Sequence, residues 1–347
     1  MWFYSFVFFS LIFLLSLGYF YKFQKISYWL SCFFLILIAG FRSSECCMDY
    51  PIYVDYYNNI ENIPFTFLEP TYFVIAWLSR VLSGSVAGVF VIYSILGVSL
   101  KALAFTRLTK FYAITLILYF GSFFLLHEMT QIRVGVASAC LLLSIPAIVD
   151  RKPKQFIMYM VLGCLFHYSL IVFSFVYFLK PDRLNRYIYM GMVVFAFIAF
   201  NLGLNLARIF EIVRLGFISE KINAYKNMLE DGFHGEIMLF NPLLMLRILV
   251  LSVLMYKYEF LQQKNSNAII LIKIYAFSIF FFIALADLPV LAGRLSQLFG
   301  IVEIILVPFV IYLLKPRYLA VIVAAIFGML IFYKQLFYSD LVNAYFN

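Results

Sequence analysis

WFYSFVFFSLIFLLSLGYF, residues 2–20, runs from Trp2 to Phe20 without one charged side chain, and LSQLFGIVEIILVPFVIYLL, residues 295–314, carries only Glu303. Each stretch is long enough to cross a hydrocarbon layer of roughly 30 Å. No water is available there, so every backbone N–H and C=O must pair within the segment, and the segment must be a helix. The rest of the chain has the same character. Of 347 residues, 65% are hydrophobic and 12% are charged, whereas soluble domains carry about 25% charged residues. A soluble core of this size could not hide so much apolar surface. The expected fold is therefore all-α: a polytopic transmembrane helical bundle forming one integral-membrane domain over residues 1–347, with about 10–12 spans.

The first span has no basic start and no small-x-small cleavage site, so it is expected to persist as a span. Cys32, Cys46, Cys47, Cys140 and Cys164 make no CxxC or zinc pattern and are expected to be buried thiols. The net charge of +9 does not point to nucleic acid. In a chain of this composition it reports the excess of Lys and Arg on the cytoplasmic side.

That rule threads the chain. Lys22 and Lys25 follow the first span and are placed inside, and residues 26–41 return outward. They deliver an acidic, aromatic outer loop that extends, with an interfacial or re-entrant helix near 69–84, over about residues 42–84. Lys101, Arg107 and Lys110 are expected inside, His127 to Gln131 in an outer turn, and Arg151, Lys152 and Lys154 inside. The apolar run 156–179 has basic residues on both flanks, which two half-length helices bent near His167 would satisfy. A second outer loop is expected at about 207–237.

Arg42, Arg133 and Arg294 then fall at outer ends of spans, where the inside bias gives no reason for them. A guanidinium fork binds phosphate oxygens at two points and keeps its charge. Three such forks could hold a diphosphate at the outer headgroup level, or each could snorkel singly to lipid phosphate. Three residues could move a proton: His167 in an otherwise uncharged run, and the carboxylates Asp49 and Glu69 flanking the first outer loop. His167 could equally be a hydrogen-bonded helix contact, and Glu69 before Pro70 also suits a helix start. Arg247 and Glu303 lie roughly 12 Å deep at 1.5 Å per residue and are expected to meet as a structural ion pair or to line a wet cavity. Tyr50, Tyr53, Tyr56 and Tyr57 could stack on sugar rings or belong to the aromatic interface belt. The sequence has no phosphate-cradling glycine loop with lysine, no HExxH and no DxD pair. A sugar donor should then be lipid-borne and the chemistry free of metal and cofactor.

In order along the chain, the residues resemble the EpsG-like branch of the Wzy polysaccharide polymerases. Arg42 follows the second span, then come Asp49-Tyr50 and Tyr53; Glu69-Pro70 opens a helix; Gln131-Ile132-Arg133 begins a small-residue helix with Gly135 and Ala137. Phe166-His167-Tyr168-Ser169, the aromatic stretch Lys221 to Tyr225 and the late Arg294 complete the set. A Gly-Thr pair usually precedes the Asp where this chain has Cys47-Met48.

The resemblance implies a glycosyltransferase of the bacterial inner membrane. It would join polyprenyl-diphosphate-linked oligosaccharide repeats at the outer face, for an O-antigen, lipopolysaccharide or capsule, on an undecaprenyl-type carrier. Tyr225 would be a glycan contact. A chain-length regulator, a repeat-unit flippase and membrane lipids would be its partners. A flippase of lipid-linked oligosaccharide would hold the same diphosphate with the same arginines, whereas an outer-face ligase or acyltransferase would use His167 on another donor.

Overall fold

The computed structural model describes residues 1–64, 67–204, 237–339 and 341–345. Among these the chain is helical throughout apart from turns, loops and one isolated bridge between Cys47 and Val342. It is an α-helical membrane bundle. Helix α1 (Trp2–Phe20) shows why: Tyr4, Phe8, Leu11 and Leu15 pack inward at helical spacing, while Phe6, Phe9 and Phe13 are exposed on the other face. A helix apolar on its inner and outer faces alike is solvated by lipid. Among the described residues four helices are long and apolar enough to cross a membrane, at Trp2–Phe20, Ala87–Leu108, Ile132–Val149 and Pro289–Leu313, and the other apolar helices run 10–17 residues.

The chain divides into two compact units. The first comprises Met1–Ser174 and Ile304–Asn347, the second Phe175–Glu303. In the first unit α1 is followed by α2 (Gln24–Gly40), a short α3 (Tyr50–Asn58), α4 (Pro70–Ser83), α5 (Ala87–Leu108) and α6 (Tyr112–Tyr119). From Phe120 to Glu128 α6 widens into a π-helix, then come α7 (Ile132–Val149) and α8 (Pro153–Phe166). Prolines in the first turns of α3, α4 and α8 suit helix starts, because the N–H they lack has no intrahelical partner there. Helix α8 breaks at His167, whose backbone is extended (φ −157°, ψ 115°), and a 3₁₀ run Tyr168–Phe178 follows. Leu170 lies back over Gly163. Residues seven apart in a straight helix would be separated by about 10 Å, so the chain bends sharply at His167.

Helix α5 orders the first unit along its length. Val91 and Ser94 meet Gly40 near the end of α2, and the Ala102 carbonyl accepts from Tyr28 Oη near the start of α2 (2.8 Å). The α2 and α5 helices are thus antiparallel. Lys22, Lys25, Arg107, Lys110, Arg151, Lys152 and Lys154 all fall at helix ends opposite the end that holds Arg42, Glu69, Arg133 and His167. Lys101 does not belong with the inner-end charges as expected. It lies well inside α5, fully buried, with its ammonium against Glu128. Glu128, expected in an outer turn, is buried as the last π-helical residue.

The second unit holds α9 (Arg186–Asn201), α10 (Pro242–Tyr256), α11 (Tyr258–Lys264), α12 (Ala268–Ala284) and α13 (Pro289–Gly300). Asn185 and Asn241 cap α9 and α10 by accepting from backbone N–H groups. Back in the first unit, α14 (Arg317–Phe337) packs on the π-helical run, where Gln335 Nε2 donates to the Ser122 carbonyl (3.0 Å). The second outer loop expected at about 207–237, and Tyr225 within it, lie outside the described residues but for Ile237.

Candidate functional site

Arg42 leaves the end of α2 and turns inward. Its Nε donates to the Ala39 carbonyl (2.7 Å), its Nη1 to the Met129 carbonyl (2.5 Å), and its guanidinium lies 4.6 Å from the centre of the Phe90 ring. The chain after it is held from above. Asn343 N donates to the Cys46 carbonyl (2.8 Å), Asn343 Nδ2 to the Glu45 carbonyl (2.9 Å), and Tyr345 Oη to the Ile38 carbonyl (2.9 Å). The C-terminal segment thus straps the Arg42 loop to the bundle. All five cysteines are free thiols, and Cys46 and Cys47 are buried under this strap.

Glu69 is the residue before α4, with an extended backbone (φ −68°, ψ 146°), and its side chain does not cap its own helix. It reaches two partners far away in sequence. One carboxylate oxygen meets Arg133 Nη1 in the first turn of α7, and the other lies 2.8 Å from His167 Nδ1. Thr71 Oγ1 donates to the Leu165 carbonyl (2.7 Å), which ties the start of α4 to the end of α8 and brings Glu69 to His167. The Glu69 side chain is 5% exposed, that of His167 15% and that of Arg133 19%. Burial alone would push the Glu69 carboxyl up, but the hydrogen bond with His167 and the charge of Arg133 pull it down to about 2. A carboxylate held so firmly ionised is a poor proton acceptor and a good anchor for a histidine. The bond engages Nδ1 and fixes the orientation of the ring.

Aromatic side chains wall this cluster. Tyr50 stacks on Phe90 with ring centres 4.6 Å apart, Tyr53 stacks on Tyr72 at 6.1 Å, and Tyr93 meets Phe166 edge-on at 6.0 Å. Arg133 sits 5.9 Å from the Tyr56 ring centre. Tyr53, an expected glycan contact, is buried, and Tyr50 and Tyr56 are half-buried. Burial pushes the Tyr53 hydroxyl up to about 12, with Arg133, Asp49 and Arg42 all within electrostatic reach of it. Asp49 stands at the start of α3, half-buried.

The first unit therefore gathers Arg42, Asp49, Tyr50, Tyr53, Glu69, Arg133 and His167 at one end of the bundle. Arg42 Nη2 and Arg133 Nε are buried donors without a protein partner. Arg294 is exposed on α13, in the second unit. Arg247 and Glu303 meet in that unit: Arg247 Nε donates to Oε1 (3.1 Å), Nη2 lies 2.9 Å from Oε2 off the line of a hydrogen bond, and Tyr275 Oη donates to Oε1 (2.9 Å). Sequence reasoning missed Lys101 and Glu128. The signal was present, since each is a single charge in an apolar stretch, the pattern that singled out Arg247 and Glu303. Among the described residues no three His, Cys, Asp or Glu side chains come together as a metal site.

The sequence profile of the EpsG family matches residues 25–347. No curated protein and no solved structure matches the chain.

Proposed function

Because the chain belongs to the EpsG family, which makes it a polysaccharide-polymerase-like membrane protein, we propose that it joins polyprenyl-diphosphate-linked oligosaccharide repeats at the outer face of the bacterial cytoplasmic membrane. The observation that carries this reading is the Glu69 carboxylate shared between Arg133 and His167, recessed among aromatic rings beside Arg42. Orientation follows from charge. The inner-end lysines and arginines of the first unit lie opposite this cluster, so the positive-inside rule turns the cluster outward.

In the proposed step a hydroxyl of one lipid-linked repeat attacks the anomeric carbon of the growing glycan. The new C–O bond forms as the anomeric C–O bond to the carrier breaks, and the electron pair leaves with the diphosphate. His167 Nε2 takes the hydroxyl proton, and Glu69, bonded to Nδ1, orients the ring and stabilises the charge it gains. The partnerless donors of Arg42 and Arg133 face the growing negative charge of the diphosphate, a contribution that acts fully only in a desolvated site. Tyr50 and Tyr56, half-buried beside them, offer ring faces to sugars.

Purified protein given lipid-linked repeats should lengthen them, and His167→Ala should lower the rate by roughly 10²–10⁴-fold, the range for a lost general base. Arg133→Lys should rescue poorly, since a point charge replaces a fork. Repeats that cross a vesicle membrane but never lengthen would make the protein a flippase, and the reading would be wrong.

A further inference from the structure

The turn that joins the π-helix to α7 carries one anchor for each arginine of the proposed site. Met129 supplies the carbonyl that holds Arg42 Nη1, and Arg133 itself lies in the first turn of α7. Two charged residues outside the proposed chemistry hold that turn at both ends. Glu128, the residue before Met129, pairs with Lys101 and accepts from Tyr119 Oη (2.7 Å). Lys101 Nζ also donates to the Gly135 carbonyl (2.6 Å), two residues beyond Arg133. Both side chains are fully buried.

The turn between them is irregular. Met129 N bonds to the Phe124 carbonyl (3.2 Å) and Gln131 N to the Leu126 carbonyl (2.8 Å), the wide spacing of a π-helix, which needs support to persist. Gly97 on α5 leaves room for the pair, because a Cβ there would land on Glu128 Oε2. The carboxylate cannot swing aside without giving up Lys101 and Tyr119.

We infer that Lys101 and Glu128 are positioning residues: their ion pair fixes the π-helical turn, and through it the aim of Arg42 and Arg133 at one diphosphate. Buried ion pairs give little net stability over well-packed apolar side chains, so stability alone does not call for charges here. The geometry does, because the Lys101 ammonium on α5 binds Glu128 and the Gly135 carbonyl together and so joins the two ends of the turn. The inference rests on the polymerase reading.

The test uses the purified full-length protein and its lipid-linked repeats. The doubly neutral variant Lys101→Met/Glu128→Leu should insert and melt near the wild type, yet its kcat should fall about 100-fold at nearly constant KM, as for a reacting group misplaced by about 1 Å. Tyr119→Phe removes a single hydroxyl and decides the matter should the double variant not fold; it should lower kcat about fivefold in the folded protein with only a small drop in Tm, on the scale of one hydrogen bond. A kcat within twofold of wild type in the folded double variant, or in Tyr119→Phe where the double variant does not fold, overturns the inference alone. Failure of the wild type to lengthen repeats overturns the polymerase reading, and this inference with it.

Discussion

Two arginine–glutamate pairs, one in each unit and each built on a buried carboxylate, differ in what else that carboxylate touches. In the second unit Glu303 takes contacts from two of the three guanidinium nitrogens of Arg247 and a hydroxyl from Tyr275. Neither partner changes charge near neutral pH, so that cluster is a fastener. In the first unit Glu69 gives one oxygen to Arg133 and the other to His167. Histidine is the side chain whose ordinary titration falls near neutrality. The same carboxylate that fastens Arg133 therefore also orients a ring able to accept a proton. On the proposed function, that titratable partner is what separates the two ion pairs.

The sharpest way to break that contrast is to neutralise each carboxylate in turn. Glu69→Gln should reduce repeat joining by roughly 100-fold or more, because the His167 ring loses its orienting charge. Glu303→Gln should leave turnover per folded molecule close to wild type and instead lower stability by about 1–3 kcal/mol, as expected for a half-buried arginine left with an uncharged partner. Rate assays normalised to folded protein, beside thermal melts in detergent, would separate the two. Equal effects on turnover would erase the distinction.

A smaller effect is readable in pH. Glu69 is held at about 2 in the folded protein, below the ordinary carboxyl value of 4.5. Its contribution to stability is therefore present in full above pH 4.5 and lost as pH falls toward 2, an amount of about 3 kcal/mol. Melting temperature measured from pH 6 downward should fall more steeply for the wild type than for Glu69→Gln over that window. Matching slopes would show that Arg133 and His167 do not hold the carboxylate. Glu69 also stays ionised wherever the protein works, so an acid limb of the rate above pH 4.5 cannot be its own.

The sequence shows the membrane bundle plainly, since composition and span length decide it wherever the solvent is lipid. It also shows Arg42 and Arg133 as charges at the ends of apolar runs, Glu69 at a helix start and His167 within an otherwise uncharged run. It does not show that Glu69 meets two partners 64 and 98 residues away, because no local pattern encodes a contact between helix ends. Lys101, whose signal was present, was misassigned for a different reason. The charge rule treats a lysine near the end of an apolar run as a loop residue, whereas α5 continues past it to Leu108 and its ammonium is needed inside. The widening of α6 at Phe120 has no signature in residue type, being a product of what packs around it.

The smallest expected effect tests how the contact between distant helix ends is enforced. Thr71 Oγ1 on the Leu165 carbonyl is the bond that ties α4 to the end of α8, where the helix has no N–H of its own to satisfy that oxygen, because the backbone at His167 is extended. Thr71→Val keeps the shape and removes the donor. The loss should be about 1 kcal/mol of stability, and a few-fold of turnover, because Glu69 and His167 are joined by one hydrogen bond and need their backbones held to make it. If Thr71→Val lowers stability while repeat joining stays unchanged, the histidine is held by Glu69 alone and the α4–α8 tie is structural. If turnover falls further than the melt accounts for, the tie belongs to the machinery, and the difference between the two units extends from side chains to the helix ends that carry them.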